Sequence, residues 1–138
     1  MNVLGVDFGT RNIGLAVGDT ESRMAFPLFS IDVQKEKDVI GAVIAHANTE
    51  GAERVVVGIP RRLAGAGSVG DTEKAALDFV AALQRRAQMP VDTEDERMTS
   101  ALVDRWRQDS GLKKKHFDKD AAAAAAILES YLERTARK

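Results

Sequence analysis

The sequence predicts one α/β domain whose mixed sheet opens with antiparallel strands and continues through βα crossovers. Three observations carry this. Three strand-like runs crowd together before residue 32 with only short turns between them. The segment RVVVGI, Arg54 to Ile59, is a continuous β-branched run of the kind buried on both faces in a parallel sheet. From there on, helical periodicity alternates with short strands.

Each element has its own signal. Val3 to Asp7 reads as the first strand, and Ile13 to Gly18 as the second, joined by a hairpin-like turn over Phe8 to Asn12. Met24 to Ile31 reads as a third, where Pro27 requires an edge position or a bulge. Lys37 to Asn48 carries Val39, Ile40, Val43, Ile44 and Ala47 at helical spacing, and Glu50-Gly51 ends that helix. Pro60 stops the RVVVGI strand, and 61–70, with three glycines, is a loop. Asp71 or Thr72 can cap a helix over about 73–88, with Ala76, Leu77, Val80 and Leu83 inward. Pro90-Val91-Asp92-Thr93 begins a short fifth strand. Thr99 or Ser100 caps a helix from about Ala101 to Gln108 that contains Trp106, and Gly111 with three lysines forms another loop. Asp118 caps the last helix, in which AAAAAAIL is followed by Tyr131 and Leu132 in the same apolar pattern. That helix should pack closely on its neighbours.

Composition narrows the function. The chain has 138 residues with 44% apolar and 30% charged content, as expected of a single globular domain over 1–138. No apolar run approaches the roughly 18–20 residues of a membrane helix. Met1-Asn2-Val3-Leu4 carries no basic leader, so no signal peptide is expected. The absence of cysteine excludes disulfides and thiolate metal sites and suits a cytoplasmic location. Two histidines, His46 and His116, are too few for a histidine-built zinc site. A metal would be held by carboxylates, which favours Mg²⁺ or Mn²⁺.

The net charge of −1 does not announce a nucleic-acid binder, but its distribution is uneven. Basic residues bunch at Arg61-Arg62, Arg85-Arg86, Arg105 with Arg107, and Lys113-Lys114-Lys115; acids bunch from Asp92 to Glu96. Such runs are either solvated surface or phosphate contacts. In open α/β sheets, sites form beyond the carboxyl ends of the parallel strands. Asp7 ends the first strand, Glu94-Asp95-Glu96 the last, and Asp120 stands in the first turn of the final helix. Should folding gather them, several carboxylates could hold two divalent cations about 4 Å apart, the arrangement that hydrolyses phosphodiesters. Singly, each has a plainer reading. Asp7 can form an Asx turn, Asp120 can complement the helix dipole, and residues 94–96 can be a solvated acidic edge.

Four segments, in order, extend this. VDFGTRNIGLAV, VVVGIP, DERMTS and KKKHFDKDAAAAAAIL together resemble the YqgF/RuvX family, relatives of RuvC, from Val3 to about Leu132. The resemblance implies an RNase H-like mixed five-stranded sheet, three antiparallel strands then parallel βα units, flanked by helices. It implies catalytic and metal-binding acids at Asp7, Glu96 and Asp120, with Asp95 as the alternative to Glu96, around a two-metal Mg²⁺ or Mn²⁺ site. Strand alternation makes it improbable that Asp95 and Glu96 both point inward. Gly9 and Gly14 fit close backbone approach near the turn. Arg11 matches a basic position of the motif and could contact a phosphate; Arg97 could do the same or neutralise the site. Arg61 and Arg62, in a loop RRLAGAGSVGD that departs from the family pattern, can contact phosphates, as can Lys113, Lys114 and Lys115.

The implied activity is a metal-dependent endonuclease acting on structured RNA or branched DNA. Processing of the 5′ end of the 16S rRNA precursor, with ribosomal precursor particles as partners, is ranked ahead of Holliday junction resolution. The latter calls for a symmetric dimer; a monomer or homodimer is expected of the chain, and no membrane is involved. Two competitors have the same core. DFGT also resembles the phosphate turn of the actin, Hsp70 and sugar-kinase superfamily, which needs a second domain and a second phosphate turn. A non-catalytic RNA- or ribosome-binding module could keep the fold.

Overall fold

The computed structural model describes residues 1–59, 71–95 and 118–136. These form β1 (Asn2–Asp7), β2 (Asn12–Asp19), β3 (Ala25–Asp32), α1 (Val39–Thr49), β4 (Ala52–Ile59), α2 (Asp71–Arg86), β5 (Val91–Asp95) and α3 (Lys119–Ala136). The sheet runs in the order β3-β2-β1-β4-β5. The β1–β2 and β2–β3 pairs are antiparallel, and the β1–β4 and β4–β5 pairs parallel. The expected mixed five-stranded sheet is therefore present. Both accommodations for Pro27 occur, because β3 is an edge strand and its register shifts by a bulge beside Pro27, between Leu15↔Phe29 and Ala16↔Pro27.

Alternation along the strands divides the core into two layers. Leu4, Val6, Val55, Val57 and Ile59 pack with Val43 of α1 and Ala76, Val80 and Leu83 of α2. Val3, Ala16 and Val56 face the other way, onto Ala124, Ile127, Leu128 and Leu132 of α3. The alanine run is what permits α3 to sit so low. A Cβ on Gly5 would stand 3.0 Å from the Ala124 carbonyl oxygen, so small residues on helix and sheet together bring the two backbones close.

Several boundaries differ from the expectation for local reasons. α1 starts at Val39, not Lys37, because Asp38 takes the cap and accepts a hydrogen bond from the Gly41 N–H at 3.1 Å. Gly51, at φ +69°, follows its C-terminus in the left-handed conformation that ends a helix. α2 begins at Asp71 itself, so neither Asp71 nor Thr72 precedes it as a cap. Its inward stripe is Ala76, Phe79, Val80 and Leu83, while Leu77 is exposed. Positions 76, 79, 80 and 83 repeat at three and four, and 77 falls off that stripe. The helix expected over 101–108, with Trp106, lies outside the described residues. Among the described residues no helix is long and apolar enough to cross a membrane.

α1 and α2 are tied by a bidentate ion pair: Arg86 Nη1 and Nη2 donate to Asp38 Oδ1 and Oδ2 at 2.8 and 2.9 Å. The basic pair Arg85-Arg86 is thus half committed to structure. The Arg86 hydrogen bond, helped by the Gly41 N–H, holds the Asp38 carboxyl down at about 2. A depressed carboxyl stabilises the fold above the unfolded carboxylate range, near pH 4, and that contribution is lost as pH falls toward 2. Arg86→Ala should therefore lose less stability than the parent between about pH 5 and about pH 2.5. Urea unfolding at both pH values checks this; equal losses in the two proteins would show that the pair contributes nothing.

Candidate functional site

Asp7 is the last residue of β1. Val3 lies in the core beneath α3, and Gly5 touches Leu128, so alternation places Asp7 on the same face. Its partners in register are Gly14 on β2 and Gly58 on β4. Beyond them the row continues to Ser30 on β3 and Glu94 on β5. Across the whole sheet it reads Ser30, Gly14, Asp7, Gly58, Glu94, and Asp7 has a residue without a side chain on either flank.

The first turn of α3 rests on this row. A Cβ on Gly14 would lie 1.9 Å from the carbonyl oxygen of Asp120 and 2.8 Å from the Ala121 nitrogen. The chain at Asp120 is thus in van der Waals contact with the strand position beside Asp7. Asp118 fixes the turn: its Oδ1 accepts the Ala121 N–H at 3.0 Å and the Ser30 hydroxyl at 2.6 Å. Burial pushes the Asp120 carboxyl above its ordinary value, and the negative charge of Asp118 adds to the shift against the opposing pull of Lys119. An ionised Asp120 at this place gains from a nearby cation.

At the other side of the row, β5 carries acids on both faces. Val91 belongs to the core beneath α1 and α2, and alternation gives Asp95 that face, opposite to Asp7. Asp92 and Glu94 face α3. The Tyr131 hydroxyl donates to Asp92 Oδ2 at 2.8 Å, and Arg54 pairs with the same oxygen. Ser130 Oγ donates to Glu94 Oε2 at 3.0 Å, while Arg134 Nε and Nη2 donate to Oε1 at 3.1 and 2.7 Å. Burial works to raise the Asp92 carboxyl, but the Tyr131 and Arg54 hydrogen bonds and the neighbouring guanidinium charges prevail and hold it low.

The solvated-edge reading of 94–96 therefore does not hold for Glu94, which is only 8% exposed. A short strand of alternating acids looks solvated in isolation. The cue lay 36 residues and more downstream, in Ser130, Tyr131 and Arg134 on one side of the final helix. Nor did the sequence single out Ser30.

Asp7 and the Asp120 backbone are thus brought together, and Asp95 is not brought to their face. Among the described residues no three acidic or imidazole groups gather closely enough to hold an ion, so Asp7, Asp95 and Asp120 do not form such a set. Glu96 lies outside the described residues, as do Arg61, Arg62, Arg97, Lys113, Lys114 and Lys115. Arg11 is exposed in the β1–β2 turn, with its carbonyl bonded to the Val33 N–H at 2.9 Å. In the same turn a Cβ on Gly9 would come within 2.3 Å of the Asn12 carbonyl oxygen, so only glycine fits. The acids on this part of the fold, Asp7 and Asp120, would offer carboxylate oxygens, which suit a hard divalent cation.

A five-stranded mixed sheet covered on both faces, with an acid ending its central strand, defines an RNase H-like domain of the RuvC type. Solved structures agree on the fold. Thermus thermophilus RuvC superposes with a TM-score of 0.65 at 19% identity, covering 98% of this chain and 96% of that one. The fowlpox virus Holliday junction resolvase gives 0.61 at 16% identity, covering 97% and 99%. The family model described as "RuvX: Holliday junction resolvase" matches residues 1–134, and the chain belongs to the RuvX family. Relatives named "Putative pre-16S rRNA nuclease" include that of Maridesulfovibrio salexigens, 31% identical with 97% of this chain and 99% of that protein covered. Those of Chloroflexus aggregans and Koribacter versatilis are 35% and 37% identical, covering 95% and 96% of this chain and 92% and 86% of theirs.

Proposed function

We propose that this chain is a divalent-metal-dependent endonuclease that hydrolyses nucleic-acid phosphodiesters, and that its substrate is the 5′ region of 16S rRNA precursor. One observation carries the proposal. The first turn of α3, bearing Asp120, is in backbone contact with Gly14, the β2 residue paired in register with Asp7 at the end of β1. The name shared by the full-length relatives supports the substrate.

In this reading Asp7, Glu96 and Asp120 hold Mg²⁺ or Mn²⁺. Glu96 is favoured over Asp95 because alternation along β5 sets Asp95 on the face opposite to Asp7. A pair of such cations, when bound, supplies activation of water and neutralisation of charge at a scissile phosphodiester. The chain's own part is to orient. Asp7 sits between Gly14 and Gly58, so no neighbouring side chain in its row obstructs it. Arg11, Arg61, Arg62, Arg97 and Lys113 to Lys115 would hold backbone phosphates, which position a strand without reading its sequence. Work on precursor rRNA implies a cytoplasmic location.

A second reading, Holliday junction resolution, is supported by the description of the family and by the fold neighbours. It requires a two-fold dimer that sets two sites on opposed strands. Side-by-side digestion of precursor 16S RNA and a four-way DNA junction, with Mg²⁺ and with Mn²⁺, tests both. The account expects cleavage near the mature 5′ end of the RNA and little of the junction. Junction cleavage by a dimer would transfer the assignment to a resolvase, and no cleavage of either would favour a non-catalytic RNA-binding module.

A further inference from the structure

Between its ends, α3 meets the sheet through small and apolar groups: Ala124, Ala125, Ile127, Leu128 and Leu132. Such contacts are close-packed but non-directional. Polar attachments interrupt it: Tyr131 donates to Asp92 of β5, and two others reach the cross-sheet row that holds Asp7. At the first turn the Ser30 hydroxyl, on edge strand β3, donates to Asp118 at 2.6 Å. Toward the last turn Ser130 and Arg134 grip Glu94, on edge strand β5, through three hydrogen bonds of 2.7 to 3.1 Å. Ser30 and Glu94 are the two outer members of the row in which Asp7 is central.

We propose that these two straps, Ser30–Asp118 and Ser130/Arg134–Glu94, are positioning devices that fix α3 across the sheet and thereby set the placement of Asp120 relative to Asp7. Charge-assisted, multidentate hydrogen bonds are directional where apolar contacts are not. The Glu94 carboxylate is buried and both its oxygens are taken, while Arg134 is half exposed, so the grip is on a fixed point of β5. Opening either strap leaves the alanine–glycine packing and the Tyr131–Asp92 bond in place but removes a directional tie between the helix and the row. The inference rests on the metal-dependent reading above, since its consequence is read in cation binding.

The test is a manganese titration followed by thermal unfolding, on the full chain, for the parent, Ser30→Ala, Arg134→Met and Arg134→Lys. Partners that orient metal ligands typically matter by 10–100-fold in affinity. Ser30→Ala and Arg134→Met should each need roughly tenfold more Mn²⁺ for half the stabilisation seen in the parent, and Arg134→Lys should recover part of the loss. A merely structural role would lower the metal-free melting temperature and leave the manganese midpoint unchanged; that result overturns the proposal. Should Arg134→Met fail to fold, Ser30→Ala decides, because Asp118 keeps its bond to the Ala121 N–H. A parent protein that manganese does not stabilise would sink the metal-site reading itself, and the straps' role with it.

Discussion

Asp7→Asn should abolish cleavage while leaving the fold intact. The amide matches the carboxylate in shape, and its strand is held by backbone pairing to both β2 and β4, neither of which depends on the side chain. What is lost is an anionic ligand at the centre of the row, where cations would have to be held on either side of a phosphodiester. A fall of at least about 10³-fold in rate, about 4 kcal/mol of transition-state stabilisation, is expected. Thermal unfolding without metal should stay close to the parent value, because the backbone pairing of β1 is unchanged. Single-turnover cleavage together with metal-free unfolding checks both halves. Undiminished cleavage would remove Asp7 from the mechanism.

Gly14→Ala should be the most damaging single methyl in the described chain. Its Cβ would enter at 1.9 Å from the Asp120 carbonyl oxygen, a backbone atom with no rotamer to yield. Ordinary carbon–oxygen contact is well over 3 Å, so the first turn of α3 must lift by more than 1 Å or β2 must bend. Overpacking of this kind costs on the order of 1–3 kcal/mol, and more where only backbone can move. The displaced turn carries Asp120, so activity should fall further than stability alone explains. Cleavage measured well below the variant's melting temperature separates the two effects. A variant as stable and as active as the parent would show that the close approach of helix and strand is not needed.

Much of this architecture was legible in the chain. Pro27 announced an edge or a bulge, and RVVVGI announced a strand buried on both sides, because proline's missing donor and a continuous apolar run allow few placements. The alanine run read as a closely packed helix because Ile127, Leu128, Tyr131 and Leu132 continue its apolar pattern. Asp7 and Asp120 were singled out by position alone, at a strand end and in a helix's first turn. The network around Glu94 was not legible. Nothing local distinguishes an alternating acid that faces water from one that faces Ser130 and Arg134, as the difference lies in a helix packed from another part of the chain. Leu77 was misplaced because an apolar residue one step off a helical stripe looks the same in sequence as one on it.

The central claim is that this corner of the sheet holds divalent cations between Asp7 and Asp120. Anomalous diffraction from a crystal soaked in manganese tests it most directly. The account predicts peaks within coordination distance of both carboxylates, with Glu96 completing the set. An empty corner, with the two carboxylates turned apart, would contradict it.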